Sequence, residues 1–179
     1  MRRAQPGAGS MIGELPYSAD EWDAIQWAAR AVTGAARDGD PAARAARFAD
    51  LQAILTEVRG RHGNHPILWE LEADFTPDPR AAADLYVRAE RASEAMGRST
   101  LTVRLSLARV LVEELAQPEG AKLTLQSCID DLPNATEAQC ALWAQLLAEC
   151  ERQLPPAPET VADSGAGSPD GITDPTTTA

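Results

Sequence analysis

The amino-acid sequence predicts an all-α protein built from antiparallel helical hairpins, with about seven helices in total. Alanine, the strongest helix former, dominates the apolar residues, whereas aromatic residues make up only 4% of the chain. Apolar residues recur at helical spacing between clusters of turn residues. The sequence also has no convincing run of alternating β-branched residues, the pattern that would indicate strands.

The first two helices are predicted to form a hairpin. The first begins after Ser18, because Ser18 and Glu21 three residues later make a capping box. Its predicted inward face comprises Trp22, Ile25, Ala29 and Val32. The second helix is capped by Asp40, has Pro41 at its first position and ends at Gly60. Its predicted inward face comprises Phe48, Leu51, Leu55 and Val58.

Three further helices follow in the middle of the chain. Asn64 is predicted to cap the third helix, which begins at Pro66. Its apolar side comprises Leu68, Leu71 and Phe75. A proline-rich turn leads to a fourth helix over residues 80–96, and Ser99 caps a fifth. The predicted inward residues of the fifth helix are Leu101, Leu105, Ala108, Leu111 and Leu115.

The last two helices complete the predicted domain. The sixth spans residues 119–131 and ends before Pro133, and the seventh is capped by Asn134 or Thr136. The apolar side of the seventh helix comprises Leu142, Trp143, Leu146, Leu147 and Cys150.

The two ends of the chain differ from the helical region in composition. Residues 1–17 and the Pro/Gly/Thr-rich residues 155–179 are expected to be disordered, which leaves residues 18–154 as one helical domain. The basic pair near the N-terminus is not followed by an apolar segment, so we expect neither a secretory leader nor a membrane span. The expected location is the cytoplasm.

A triplet of residues occurs twice in the predicted hairpins. Each copy has a small residue, a bulky residue four positions later and a second small residue three positions after that. The copies are Ala82, Tyr86 and Ala89, then Ala121, Leu125 and Cys128. Small residues let two helices approach closely and the bulky residue fills the space beside them. A helical hairpin that recurs in this way is typical of stacked helical arrays.

These hairpins resemble tetratricopeptide repeats. The residues that carry the resemblance in first helices are Leu68, Leu71 and Phe75, then Leu107, Ala108 and Leu111, with Trp143, Leu146 and Cys150 as a terminal cap. The two triplets occupy the second-helix positions. The resemblance implies a short, right-handed stack of hairpins. Glu72 departs from the family, which prefers Gly or Ala there, and the spacing from Ala82 to Ala121 exceeds the family period of about 34 residues.

The resemblance also implies a ligand-facing surface on the first helix of each hairpin. The corresponding positions are Trp69, Ala73, Thr102, Leu105, Arg109, Val112, Glu113 and Ala148. Arg109 is suited to a carboxylate because a guanidinium donates two bonds at once, or else it pairs with Glu113 on the same helix. Trp27 lies off the inward face of the first helix and either packs on the second helix or anchors a partner.

Candidate catalytic and metal-binding residues are few. The pair His62 and His65 lacks the further ligands that zinc needs, and we expect Cys128, Cys140 and Cys150 to be small buried residues. Glu70 and Asp74 share a helical face, which is usually a solvated arrangement and which an acid–base pair would also need. The sequence lacks nucleotide-binding and hydrolase motifs, so no enzyme, cofactor or metal is expected.

Net charge narrows the choice of partner. The formal charge of −11 disfavours nucleic acid and anionic membranes. We therefore expect a non-catalytic protein-binding module, such as an adaptor, a chaperone or an immunity-type protein. Its partner would be another protein, such as a basic protein, a toxin or a secreted effector. The alternative is a structural subunit that forms a homodimer through alanine-rich helix faces and Trp27.

Overall fold

The computed structural model describes residues 16–155 of the chain and is all-helical over that range. The α-helices are α1 (Ala19–Arg37), α2 (Pro41–His62), α3 (Pro66–Phe75), α4 (Pro79–Ala95), α5 (Leu101–Arg109), α6 (Pro118–Gln126) and α7 (Glu137–Gln153). A π-helical turn over Val110–Glu114 continues α5, and a 3-10 helix spans Ile129–Asn134. The all-α prediction is confirmed. The predicted disorder of the two chain ends concerns residues that lie almost wholly outside this range.

Helix starts follow the predicted capping chemistry at several points. Ser18 and Glu21 form the capping box of α1, and Thr136 forms the second such box at the start of α7. Asp40 accepts the Ala43 backbone N–H at the start of α2, where Pro41 occupies the first turn. These starts were predictable because each depends on two to four adjacent residues.

The junction between α2 and α3 differs from the prediction. α2 does not end at Gly60 but continues to His62, and Gly63, with φ of 79°, ends it. Asn64 does not cap α3; the Nδ1 atom of His65 accepts the Ile67 N–H instead. Gly60 can stay helical because a favourable α2 tertiary interface outweighs the propensity cost of one glycine, about 1 kcal/mol.

The π-helical turn brings additional residues after α5 into the core. Leu111 and Leu115, predicted as inward, are half-buried and pack against the core clusters, and Val110 and Val112 are buried as well. The Leu115 N–H donates to the Val110 carbonyl, five residues back, so the helix is locally wider than 3.6 residues per turn. The sixth helix is also shorter than predicted, because α6 ends at Gln126 and a separate 3-10 helix follows.

Ala116, which ends this π-helical turn, has φ of 51°, a left-handed conformation that glycine adopts without cost. We expect Ala116→Gly to raise the free energy of unfolding by up to about 1 kcal/mol, because it removes the clash of the alanine Cβ. Urea denaturation measures this change. Ala144→Gly is the control, because Ala144 is exposed to solvent in the middle of α7. This substitution should lower stability by about 0.5–1 kcal/mol. Destabilisation by both variants would contradict the prediction.

Consecutive helices pair as hairpins, α1 with α2, α3 with α4 and α5 with α6, and α7 packs on α5 and α6. α1 also contacts α3, and α5 contacts α7, so the hairpins follow one another in chain order. Three clusters of buried residues lie along this order, centred on the α1–α2 hairpin, on α4 with α5, and on α5–α7. The right-handed superhelical stacking that the repeat resemblance implies stays a prediction.

The repeated triplets are buried, as predicted. All six residues have at most 4% of their surface exposed: Ala82, Tyr86, Ala89, Ala121, Leu125 and Cys128. Cys128 and Cys150 are buried free thiols, and burial raises the pKa of Cys128 to about 11. Cys140 is half-buried. Cys128 and Cys150 therefore serve as small core residues, as predicted, whereas Cys140 is not fully buried and belongs to none of the three core clusters. A thiol with a pKa as high as that of Cys128 is a poor nucleophile.

Arg104 connects three consecutive helices. Its guanidinium donates to the Glu90 carboxylate at 2.6 Å and to the Glu94 carboxylate at 2.8 Å, both on α4. It also donates to the Ser127 backbone carbonyl at 3.1 Å, just after α6. Because the Arg104 side chain is mostly buried, these bonds fix the second hairpin against the third.

Candidate functional site

A groove runs between α1 and α3, with a volume of about 360 Å³. Its floor is apolar: Ile25 is buried, while Trp22, Leu71 and Phe75 are half-buried and line the groove. These four residues also belong to or pack against the core of the first hairpin. The floor of the groove is therefore the outer side of a hydrophobic core, and its upper surface stays accessible to solvent.

Two arginines of α1 line the same groove. Arg30 donates a hydrogen bond to the neutral Gln26 side chain at 3.2 Å. Within residues 16–155 neither Arg30 nor Arg37 forms an ion pair. Thr33, between them, donates its hydroxyl back to the Ala29 carbonyl. The groove thus combines an apolar floor with cationic groups that have no carboxylate partner in the described part of the chain.

Carboxylates and a tyrosine lie where α3 meets α4 and α5. The Tyr86 hydroxyl donates to the Asp74 carboxylate at 2.5 Å. Burial raises the pKa of Glu70 above its usual 4.5, and the negative charge of Asp74 raises it further. Burial and the bond to Asp74 also raise the pKa of Tyr86. Glu70 is thus partly buried, while Asp74 is exposed, so the pair is not the fully solvated face that such pairs usually form.

Replacing Glu70 should change how stability depends on pH. A folded-state pKa above 4.5 means that Glu70 contributes most below pH 4.5 and that this contribution is lost as pH rises through the folded pKa. We expect Glu70→Gln to raise stability at neutral pH, because it removes a partly buried charge and also the repulsion from Asp74. The repulsion alone costs about 0.2–0.5 kcal/mol for a like-charge pair four residues apart on a helix. Below pH 4.5 the variant and the parent should unfold alike.

Urea denaturation at both pH values measures this effect. Glu151→Gln on the exposed surface of α7 is the matched control. Asp74 does not act on Glu151, so this substitution should not give the gain in stability at neutral pH that we expect from Glu70→Gln. A Glu70→Gln variant that is less stable than the parent at neutral pH would contradict the raised pKa of Glu70.

The five predicted partner-binding residues lie on α1, α3, α5 and the π-helical turn, each in different surroundings. Two guanidinium groups lie over the Trp69 ring, that of Arg59 on α2 at 3.9 Å and that of Arg88 on α4 at 5.5 Å from the ring centroid. Trp27 is 66% exposed, and it does not pack on α2 as its alternative interpretation required. Thr102 accepts a hydrogen bond from Gln139 of α7.

Arg109 and Glu113 are both exposed, as expected for ligand-facing positions. In the range that the structure covers, they are not paired with each other. The π-helical turn that begins at Val110 explains this, because it disturbs the four-residue spacing that such a pair needs.

Three other positions implied by the repeat resemblance are not ligand-facing. Ala73, Leu105 and Val112 are each at most 3% exposed and belong to the core clusters. Ala148 is exposed. The positions implied by the resemblance are therefore divided between the core and the surface of this protein.

Sequence analysis missed the arginines of the groove. Arg30 and Arg37 are seven residues apart, so they lie on nearly the same face of α1, beside the apolar face of Trp22 and Ile25. This spacing was visible in the sequence. The sequence did not show that α3 packs beside α1, where Leu71 and Phe75 complete the groove.

The two histidines take part in structural contacts. The His62 ring lies 2.9 Å from the Glu21 carboxylate, and this bond is the main reason why the pKa of Glu21 falls to about 2. The His65 ring caps α3, and the Tyr17 ring meets both histidines edge-on. Tyr17 is buried, although sequence analysis placed it in the N-terminal extension.

Over the described residues, no group of three or more His, Cys, Asp or Glu side chains could hold a metal ion.

Comparisons with known proteins do not assign this chain to a family. No protein-family model, no curated protein and no solved structure matches the chain. The class that the fold defines is therefore an all-α protein of consecutive helical hairpins, and the likeness to tetratricopeptide repeats stays a prediction. None of the helices between residues 16 and 155 is long and apolar enough to cross a membrane.

Proposed function

We propose that this protein is a non-catalytic binding module that holds a segment of a partner protein in the groove between α1 and α3. The observation that carries the proposal is the combination of an accessible apolar floor with two arginines that form no ion pair within residues 16–155. Apolar anchors framed by arginines are typical of the residues that contribute most to protein interfaces.

The non-catalytic part of the proposal is supported by the state of the titratable groups. Asp74 is engaged by Tyr86, and His62 is engaged by Glu21. A general acid or base must be free to exchange a proton with a substrate. The groove itself is lined by apolar side chains, arginines, Gln26 and Thr33, none of which suits that role at neutral pH.

Blocking the groove tests the proposal. We expect Thr33→Trp to abolish partner capture, because an indole at this position would occupy the groove, while the native hydroxyl bonds only to its own helix. The experiment compares tagged full-length protein and variant as baits in extracts of the cells that produce the chain. The partner would be identified by mass spectrometry, which also distinguishes an adaptor, a chaperone and an immunity protein by what is bound.

Thr56→Trp is the matched control. Thr56 is exposed on α2 and its hydroxyl likewise donates to the carbonyl four residues earlier, but it lies outside the groove. This variant should capture the partner as well as the parent does. Equal capture by Thr33→Trp, or no partner bound stoichiometrically by the parent, would refute the proposal.

Self-association is the second candidate function, and the exposure of Trp27 favours it. Of the four tryptophans, Trp27 is exposed, while Trp22, Trp69 and Trp143 are half-buried. An exposed tryptophan on a helix is a common interface anchor. If the chain forms homodimers, light scattering will show a dimer that dissociates on dilution and that Trp27→Ala abolishes. A monomer at all concentrations would exclude this function.

A further inference from the structure

The groove also indicates what kind of partner segment it selects. We propose that it recognises an acidic amphipathic peptide segment, which places large apolar side chains on the floor and carboxylates on Arg30 and Arg37. This inference rests on the proposed function and specifies the partner chemistry at the same site. It differs from the basic partner considered from net charge, because the local charge of the groove is opposite to that of the whole chain.

Charge complementarity is the first argument. The chain carries 27 acidic and 16 basic residues, so most of its surface repels an acidic segment. The groove is an exception, since the charged residues that line it are Arg30 and Arg37. A guanidinium donates to a carboxylate in a two-pronged arrangement, and the attraction is stronger beside an apolar surface that excludes water. The contrast directs an acidic segment to this groove and away from the remaining surface.

The spacing of the arginines sets the spacing of the carboxylates. Seven residues correspond to about two helical turns, or about 10 Å along α1. A helical partner segment matches this distance with two acidic residues seven positions apart. The helical segment then turns the apolar side chains three and four positions after its first carboxylate towards Trp22, Leu71 and Phe75. In an extended segment alternate side chains share a face, so the nearest match is two acidic residues four positions apart, about 13 Å, with an apolar residue midway between them.

The shape of the groove favours a peptide over a small amphiphile. The groove lies open to solvent between two helices instead of closing over its contents. Pockets for small molecules bury most of the ligand surface. A peptide needs less enclosure, because its remaining surface stays in contact with the partner protein or with water, and a helix-in-groove complex is a common form of peptide recognition.

A random-peptide selection tests the inference and does not require the partner to be identified first. The full-length chain is the bait for a phage library of random 16-residue peptides, followed by titration of the enriched peptides in solution. We expect enriched sequences with large apolar residues flanked by Asp or Glu at the spacings given above. The double variant Arg30→Glu with Arg37→Glu should weaken their binding at least about tenfold, roughly the contribution of one charge-assisted hydrogen bond.

The control reverses two exposed arginines outside the groove, Arg47→Glu on α2 with Arg91→Glu on α4, and leaves binding within about twofold of the parent. Circular dichroism must show that both double variants are folded. Enriched peptides that are basic, or that bind the groove variant equally well, would overturn the inference but leave the proposed function standing. If no peptide is enriched and dodecanoate instead binds stoichiometrically and loses affinity in the groove variant, the groove holds an amphiphile and both proposals fail.

Discussion

Arg59→Ala should lower the free energy of unfolding by about 3–5 kcal/mol, the largest effect that we expect from one polar substitution. The Arg59 guanidinium donates to the Glu72 carboxylate at 2.5 Å and to the Leu68 carbonyl at 2.9 Å. It also stacks on the Trp69 ring. Removing it leaves the Glu72 carboxylate, only 15% exposed, with Gln52 as its remaining hydrogen-bond partner.

Two comparisons make this expectation specific. Arg47→Ala removes an ion pair with Asp50 whose side chains are 52% and 60% exposed, and should cost less than about 1 kcal/mol. The double variant Arg59→Leu with Glu72→Leu should regain much of the loss, because no unpaired charge stays buried. Urea denaturation of the full chain measures all three. A double variant as unstable as Arg59→Ala would show that the guanidinium acts mainly through its stacking on Trp69.

Tyr86→Ala should lower stability by about 3–5 kcal/mol, the usual cost of deleting a buried aromatic ring. Tyr86 is 1% exposed and packs in a cluster with Ala73, Ala89 and Val103. These small neighbours cannot move in to fill the space, so a cavity remains. Tyr86→Phe keeps the ring and loses the bond to Asp74, and should cost about 1 kcal/mol.

Leu123→Ala is the control for this series. Leu123 on α6 is 67% exposed, so its truncation should change the free energy of unfolding by no more than about 0.5 kcal/mol. Thermal and urea unfolding of the three variants give the comparison. A Tyr86→Ala variant about as stable as Leu123→Ala would mean that the Tyr86 ring is not a core residue.

Local sequence signals predicted much of this fold. Ser18 with Glu21, and Asp40 with Pro41, predicted helix starts because capping depends on neighbouring residues. The π-helical turn after Arg109 was not predictable, because its hydrogen bonds differ from those of an α-helix by one residue and leave no distinct apolar pattern. Leu111 and Leu115 do pack against the core, as predicted, but the burial of Val110 and Val112 beside them was missed for that reason.

Contacts between hairpins could not be predicted from the sequence. Glu72 looked like a departure from the repeat pattern, and the structure gives its physical reason: the carboxylate pairs with Arg59 of the preceding hairpin. Ala73, one residue later, is the small buried residue on this face of α3. Likewise the spacing of Arg30 and Arg37 was visible in the sequence. The groove that these two arginines line forms only where α3 packs beside α1, and the sequence did not predict that contact.

The division of the core into separate clusters has a consequence for kinetics. The α1–α2 hairpin carries its own cluster, and α3 is its main connection to the remaining helices. Amide hydrogens of that hairpin can therefore exchange through a partial opening that leaves α5–α7 intact. Because α1 forms one wall of the groove, such an opening would release the partner segment that we propose, and the opening rate of the first hairpin would then set a lower limit on the rate of its dissociation.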